Sequence, residues 1–151
     1  MKNSTAKLLY EGKHSYNIID MDYLYRMYPE TAAAGVWTSC NDLLLLLTDL
    51  MNGYNENNSK ILKQTTIKLI TKGEHPEWED EFNNYGLGMF VNKSDNGNKL
   101  FAHDGINYAF RMNFNCTPDE KLINIIMINH NPKYSKEWTL RDQAKKMLFS
   151  K

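Results

Sequence analysis

Apolar and polar positions alternate most regularly between Phe110 and Cys116, where Phe110, Met112, Phe114 and Cys116 are interleaved with Arg111, Asn113 and Asn115. A period of two sends successive side chains to opposite faces, so this stretch predicts a half-buried β-strand. Thr117-Pro118-Asp119-Glu120 follows as a turn with proline in a favoured position. Leu122 to Ile128 is then almost continuously apolar, the pattern of a central strand covered on both faces. Upstream, Tyr85 to Val91 and Lys99 to His103 flank Asn96-Gly97, a dipeptide that tolerates the positive φ of a tight hairpin. These segments predict antiparallel strands over residues 85–129.

The spacing changes to that of helices nearer the N-terminus. Ser39-Cys40-Asn41-Asp42 has the form of a capping box, with a hydroxyl able to accept from the third backbone N–H and an acid near the positive helix end. The predicted helix runs from there to a stop at Asn52-Gly53. It contains Leu43 to Leu47, five leucines in a row that point in every direction around the axis. A helix apolar on all sides is normally buried on all sides, and the other predicted elements are too few to enclose it. A further segment or a partner is therefore expected to cover part of it.

A second helix is predicted from Ser59 to about Leu69, with Ile61, Leu62, Ile67 and Leu69 as its apolar positions and Gly73 beyond its end. The link from Glu74 to Asn84 is polar. From about Ser135 to Phe149, Trp138, Ala144, Met147 and Leu148 mark one side of a closing helix. Residues 1–37 carry no sustained period and read as irregular, and 38–72 read as helical. The order of elements predicts an α+β fold, with an antiparallel sheet of about four strands packed by helices.

With 151 residues the chain is long enough for one domain with a real core, burying roughly 68–70% of the surface exposed by the unfolded form. Eighteen basic and eighteen acidic residues cancel, so the charge balance favours neither nucleic acid nor an anionic membrane as partner. No run of 18 apolar residues exists, and the first fifteen residues lack the apolar stretch of a secretory signal. Cys40 and Cys116 match no zinc or redox spacing and are read as small buried residues. His75, Glu77, Glu79 and Asp80 cluster in the polar link at no recognised ligand spacing and read as a solvated loop. No cofactor or metal is implied.

Two stretches carry more information than periodicity does. The first runs Tyr28-Pro29-Glu30-Thr31-Ala32-Ala33-Ala34-Gly35-Val36-Trp37-Thr38-Ser39-Cys40-Asn41-Asp42-Leu43. The second is Tyr85-Gly86-Leu87-Gly88 followed by Phe101-Ala102-His103-Asp104-Gly105-Ile106-Asn107-Tyr108-Ala109-Phe110-Arg111. They resemble segments of the β-lactamase-related serine hydrolases, the group of class C β-lactamases, penicillin-binding proteins and D-alanyl-D-alanine carboxypeptidases. Members of that group read like P-x-x-A-A-G-L-W-[ST]-[ST]-x-x-D-L and, downstream, Y-G-L-G followed by G-H-x-G-x-N-x-G-F. Order and spacing agree over nearly the whole chain, which speaks against an unrelated α+β domain.

The resemblance implies a cleft formed by three elements: a serine and lysine in S-x-x-K, a Y-x-N or S-x-N triplet, and a K-T-G or H-x-G triplet on an edge strand. His103-Asp104-Gly105 matches the last. By that resemblance His103 donates a hydrogen bond or positive charge to the substrate or to a proton-relay tyrosine, Gly105 lets substrate lie close, and the Ile106 backbone N–H is an oxyanion-hole donor. Asp104 stands where threonine is common, and its carboxylate there would repel a substrate carboxylate, which implies an ester or peptide substrate rather than a penicillin. Ala109 replaces a usual glycine.

Ser4-Thr5-Ala6-Lys7 spells S-x-x-K, but the chemistry needs that serine at the head of a long buried helix so that the lysine one turn on acts as base. Glu11-Gly12-Lys13-His14 breaks such a helix at once, and in relatives well over a hundred residues usually separate the serine from the A-A-G-x-W segment. Ser15-Tyr16-Asn17 spells S-x-N too close to Tyr28-Pro29. Asn3 to Tyr10 is instead a loose version of N-x-A-x-G-Y, which in relatives precedes the proline segment. The chain thus resembles the C-terminal half of a β-lactamase-like domain, a single partial domain over 1–151. It is expected to be inactive on acyl, peptide or β-lactam substrates unless an N-terminal half completes it. The alternative is a non-catalytic module that forms a homo-oligomer or pairs with a separate N-terminal chain.

Overall fold

The computed structural model describes residues 8–11, 16–19, 33–73, 84–94, 96–107 and 110–128. Within the segment predicted to be irregular, β1 (Leu8–Glu11) and β2 (Tyr16–Ile19) pair as an antiparallel hairpin, with Leu8 opposite Ile19 and Glu11 opposite Tyr16. The aromatic and β-branched residues Tyr10, Tyr16, Ile18 and Ile19 suit strands, but the stretches are too short for a period to show.

Helix α1 (Cys40–Glu56) starts as its capping box predicts: the Ser39 hydroxyl accepts from the Asp42 N–H at 3.1 Å and donates to the Asp42 carboxylate at 2.8 Å. It does not stop at Asn52-Gly53. It runs one turn further to Asn57, which takes the left-handed conformation at φ 55° and returns its N–H to the Asn52 carbonyl. Gly53 has a different task, because a Cβ there would lie 2.3 Å from Ile67 Cδ1 and 2.6 Å from Ser59 Cβ. The glycine lets α1 touch the following helix.

That helix, α2 (Gln64–Ile70), begins later than the apolar spacing predicts. Residues 59–63 are instead tied to α1 by Asp49, whose carboxylate accepts from the Lys60 N–H at 2.9 Å and from the Ser59 hydroxyl. Ser59 Oγ in turn accepts from the Ile61 and Leu62 N–H groups, each at 3.1 Å. The Lys60 N–H first, and then the Ser59 hydroxyl, hold the Asp49 carboxyl below its ordinary range.

Strands β3 (Phe90–Lys93), β4 (Lys99–Asn107), β5 (Phe110–Thr117) and β6 (Leu122–Ile128) form an antiparallel sheet in that order. The predicted hairpin is present: Ser94 N–H donates to the Asn98 carbonyl and Gly97 N–H to the Ser94 carbonyl, both at 2.8 Å, with Gly97 at φ 79°. Tyr85 to Val91 is not one strand. Tyr85 bridges to Phe90, and the chain between folds back with Gly86 N–H on the Met89 carbonyl at 2.8 Å. β6, predicted to be central, lies at the end of the described strand order, and most of its residues are half-buried.

One face of the sheet is apolar. Met51, Met89, Val91, Phe101 and Cys116 form a core, with Leu50, Tyr54, Ile70 and Ile123 against it, and the Tyr54 ring meets Phe101 edge-on at 5.3 Å. Burial pushes the Cys116 thiol up to about 12, so it stays protonated. Cys40, by contrast, is exposed at the start of α1 and not buried as predicted. The other face departs from the half-buried prediction for β5: Asn113, Asn115 and Thr117 are buried, the last two with 1% and 0% of their surface exposed.

The leucine run also departs from its prediction. Leu47 is 3% exposed, but Leu44, Leu45 and Leu46 are exposed, Leu45 by 70%. Only one flank of α1 meets described elements, namely α2, β6 and the single 3-10 turn Pro118–Glu120. The predicted closing helix over 135–149 and the cluster His75 to Asp80 lie outside the described residues. Among the described residues no helix is long and apolar enough to cross a membrane.

The Gly53 contact gives a direct test. Gly53→Ala is expected to destabilise the chain by about 1–3 kcal/mol through overpacking against Ile67 and Ser59, read as a lower urea midpoint at unchanged slope.

Candidate functional site

The sheet edge changes character along β4. β3 covers β4 from Lys99 as far as Ala102, so from His103 to Asn107 no described strand lies on that side. Beyond Ala102 the partner is β5 alone, with His103 opposite Phe114, Asp104 opposite Asn113, Gly105 opposite Met112 and Ile106 opposite Arg111. Backbone groups on such an uncovered edge are free to bond an extended ligand. Ile106 is 62% exposed, and a Cβ added to Gly105 would have only Met112 Cε within reach, at 3.8 Å. The edge is therefore open where the strand carries its glycine.

His103 stands on the apolar side of the sheet within an aromatic group. Its ring is near-parallel to Phe114, with centroids 6.4 Å apart, and 5.7 Å from Phe90. Tyr85 approaches edge-on at 6.5 Å and places its hydroxyl 3.4 Å from His103 Nε2, a long hydrogen bond. Two glycines put Tyr85 there. A Cβ at Gly86 would lie 2.2 Å from the Ile70 carbonyl oxygen, and Gly88 has φ 90°. Leu87 N–H donates to the same Ile70 carbonyl at 3.0 Å, so the turn is clamped to the end of α2.

Asp104 belongs to the opposite face. Its carboxylate accepts from the Asn113 amide, which also reaches the His103 carbonyl at 3.5 Å. Asn115 donates to Asn113 Oδ1 at 2.7 Å, so the two asparagines form a short chain ending on Asp104. The carboxylate that sequence sets against a substrate carboxylate is thus engaged on the side of β4 away from the His103 ring. Asn115 Oδ1 and Thr117 Oγ1, further along the same buried row, have no hydrogen-bond partner.

The two stretches singled out in the sequence meet at this end of the sheet. The Trp37 ring packs edge-on against Phe110 at 5.6 Å, and Phe110 pairs with Asn107, two residues past Gly105. Residues 28–32 of the first stretch, the Ser4 to Lys7 pattern and Ser15 lie outside the described residues, and Tyr16 and Asn17 lie in β2. Among the described residues no group of three or more His, Cys, Asp or Glu could hold a metal ion.

Sequence reasoning identifies His103, Asp104, Gly105 and Ile106 but misses the neighbours that hold them. Tyr85 is visible only as the first letter of a glycine motif. Asn113 is visible only as a polar position in an alternating strand, and its pairing with Asp104 depends on register. A family model described as Beta-lactamase matches residues 5–146. No curated protein and no solved structure matches the chain.

Asn113→Ala removes the donor to Asp104 and the acceptor for Asn115 together, inside a buried row. It is expected to cost about 1–3 kcal/mol of stability, measured as the loss in unfolding free energy by urea titration.

Proposed function

The chain belongs to the Beta-lactamase family of serine hydrolases, and from that premise we propose that it supplies the edge-strand side of an acyl-transfer site. The observation that carries this reading is the uncovered edge of β4 at Gly105 and Ile106 beside His103. In the complete site a serine attacks an ester, peptide or β-lactam carbonyl, forms an acyl-enzyme, and water releases the acyl group. The carbonyl oxygen, negative in the tetrahedral intermediate, rests on backbone N–H donors, Ile106 among them. One such donor contributes about 10²–10³ in rate. His103 supplies a hydrogen bond or a positive charge at the reacting group. With the Asp104 carboxylate bound to Asn113, its repulsion of a substrate carboxylate is reduced, so all three acyl classes stay within the reading.

The nucleophile in this reading lies outside the residues that form the sheet. Ser4-Thr5-Ala6-Lys7 is followed directly by β1, so the residues that would extend a buried catalytic helix are extended instead. A serine and lysine of S-x-x-K act together only when one helical turn points both into the same cleft. The 151-residue chain by itself is therefore expected to form no acyl-enzyme. Incubation with a fluorescent penicillin and a fluorophosphonate, followed by intact-mass measurement, should give no adduct; a serine adduct lost in Ser4→Ala would overturn the reading.

A second reading, a non-catalytic module that associates with another chain or with itself, is favoured by the exposure of Leu44, Leu45, Leu46, Val36 and Trp37. Exposed apolar residues in such number at one end of a helix are costly in water and are covered in stable complexes. On this reading light scattering gives a dimer that Leu45→Glu converts to monomer, whereas a monomeric wild-type chain would rule out self-association.

A further inference from the structure

The residue whose placement the family match leaves without a task is Tyr85. Its hydroxyl sits 3.4 Å from His103 Nε2, its ring packs edge-on against Phe90 at 5.0 Å, and its backbone is fixed by the clamp of Gly86 and Leu87 on the Ile70 carbonyl. The imidazole is flanked by Phe90 and Phe114, rings that restrict its rotation and offer no competing acceptor or donor. We propose that Tyr85 is a positioning residue that donates to His103 Nε2 and thereby fixes the neutral imidazole as the tautomer protonated on Nδ1.

The direction of the bond follows from the two groups. A phenol donates more readily than it accepts, and a neutral imidazole has one bare nitrogen and one N–H. If Nε2 carried the proton, it would face the weaker acceptor of the pair and leave the phenolic proton without use in a half-buried aromatic surround. With Tyr85 donating, Nε2 is occupied and Nδ1–H is the atom His103 offers to whatever lies along β4. Orientation by a partner on the second ring nitrogen is how histidines are commonly held in one tautomer. The part of this inference that assigns Nδ1–H to an acyl substrate rests on the function proposed above, whereas the tautomer itself does not depend on it.

The test is long-range proton–nitrogen correlation NMR on the uniformly nitrogen-15-labelled full chain, in buffer alkaline enough for neutral imidazole. The His103 ring is assigned by loss of its signals in His103→Gln, or by correlation from its own backbone if that variant does not fold. The expected result is a pyrrole-like Nδ1 and a pyridine-like Nε2 in the wild type, exchanging toward the Nε2–H pattern in Tyr85→Phe. A wild-type ring already protonated on Nε2 would overturn the proposal, as would a Tyr85→Phe spectrum that keeps the Nδ1–H pattern. If Tyr85→Phe loses its folded amide dispersion, the wild-type tautomer alone decides. Because the readout needs no turnover, an unexpected acyl adduct would refute the proposed function and leave this result standing.

Discussion

The packing of α1 on the apolar face of the sheet is the constraint on which the other features depend. Phe101 and Cys116 sit on neighbouring strands at one level, and Met51 and Tyr54 come down on them from α1. Burying a side chain such as Phe101 contributes about 1.5–3 kcal/mol. It also sets which side of β4 and β5 is inside. Once Phe101 faces α1, a period of two carries His103 to the same face and Asp104 to the other. The chemistry of the H-D-G triplet is therefore divided between two environments by a packing decision made two residues away.

The same packing fixes the edge. α2 reaches α1 through Gly53, and the end of α2 receives Gly86 and Leu87 on the Ile70 carbonyl. That contact turns the chain at Tyr85 to Gly88, so β3 starts only at Phe90 and stops covering β4 at Ala102. A straight strand from Tyr85 would have continued the pairing and closed the edge beside Gly105. The glycines of the motif thus act on the site through backbone approach and backbone conformation, and Tyr85 is carried to His103 as a result.

The far face of β5 raises a different issue. Asn113, Asn115 and Thr117 are buried where an alternating strand usually meets water, and two of their acceptor atoms have no partner. Buried polar groups are costly unless paired, so this row contributes less to stability than an apolar row of equal area. Its one clear return is the amide of Asn113 on Asp104 and on the His103 carbonyl, which holds the reactive stretch of β4 from behind. The exposed leucines of α1 are the complementary case, with apolar surface outside.

The sequence by itself determined the local signals: the Ser39 cap, the Asn96-Gly97 hairpin, the alternation of β5, the α+β order and the family, together with the His103-Asp104-Gly105 triplet. Each of these is encoded over a few adjacent residues, by propensity, turn chemistry or motif. Tertiary structure alone decided that Gly53 is a contact and not a stop, that β6 ends the described strand order, that Leu44 to Leu46 face outward, and that Tyr85 and Asn113 are the neighbours of the triplet. The physical reason is common to all of them. Which residues meet across a sheet or between helices depends on register and close approach, and neither is fixed until the elements have packed.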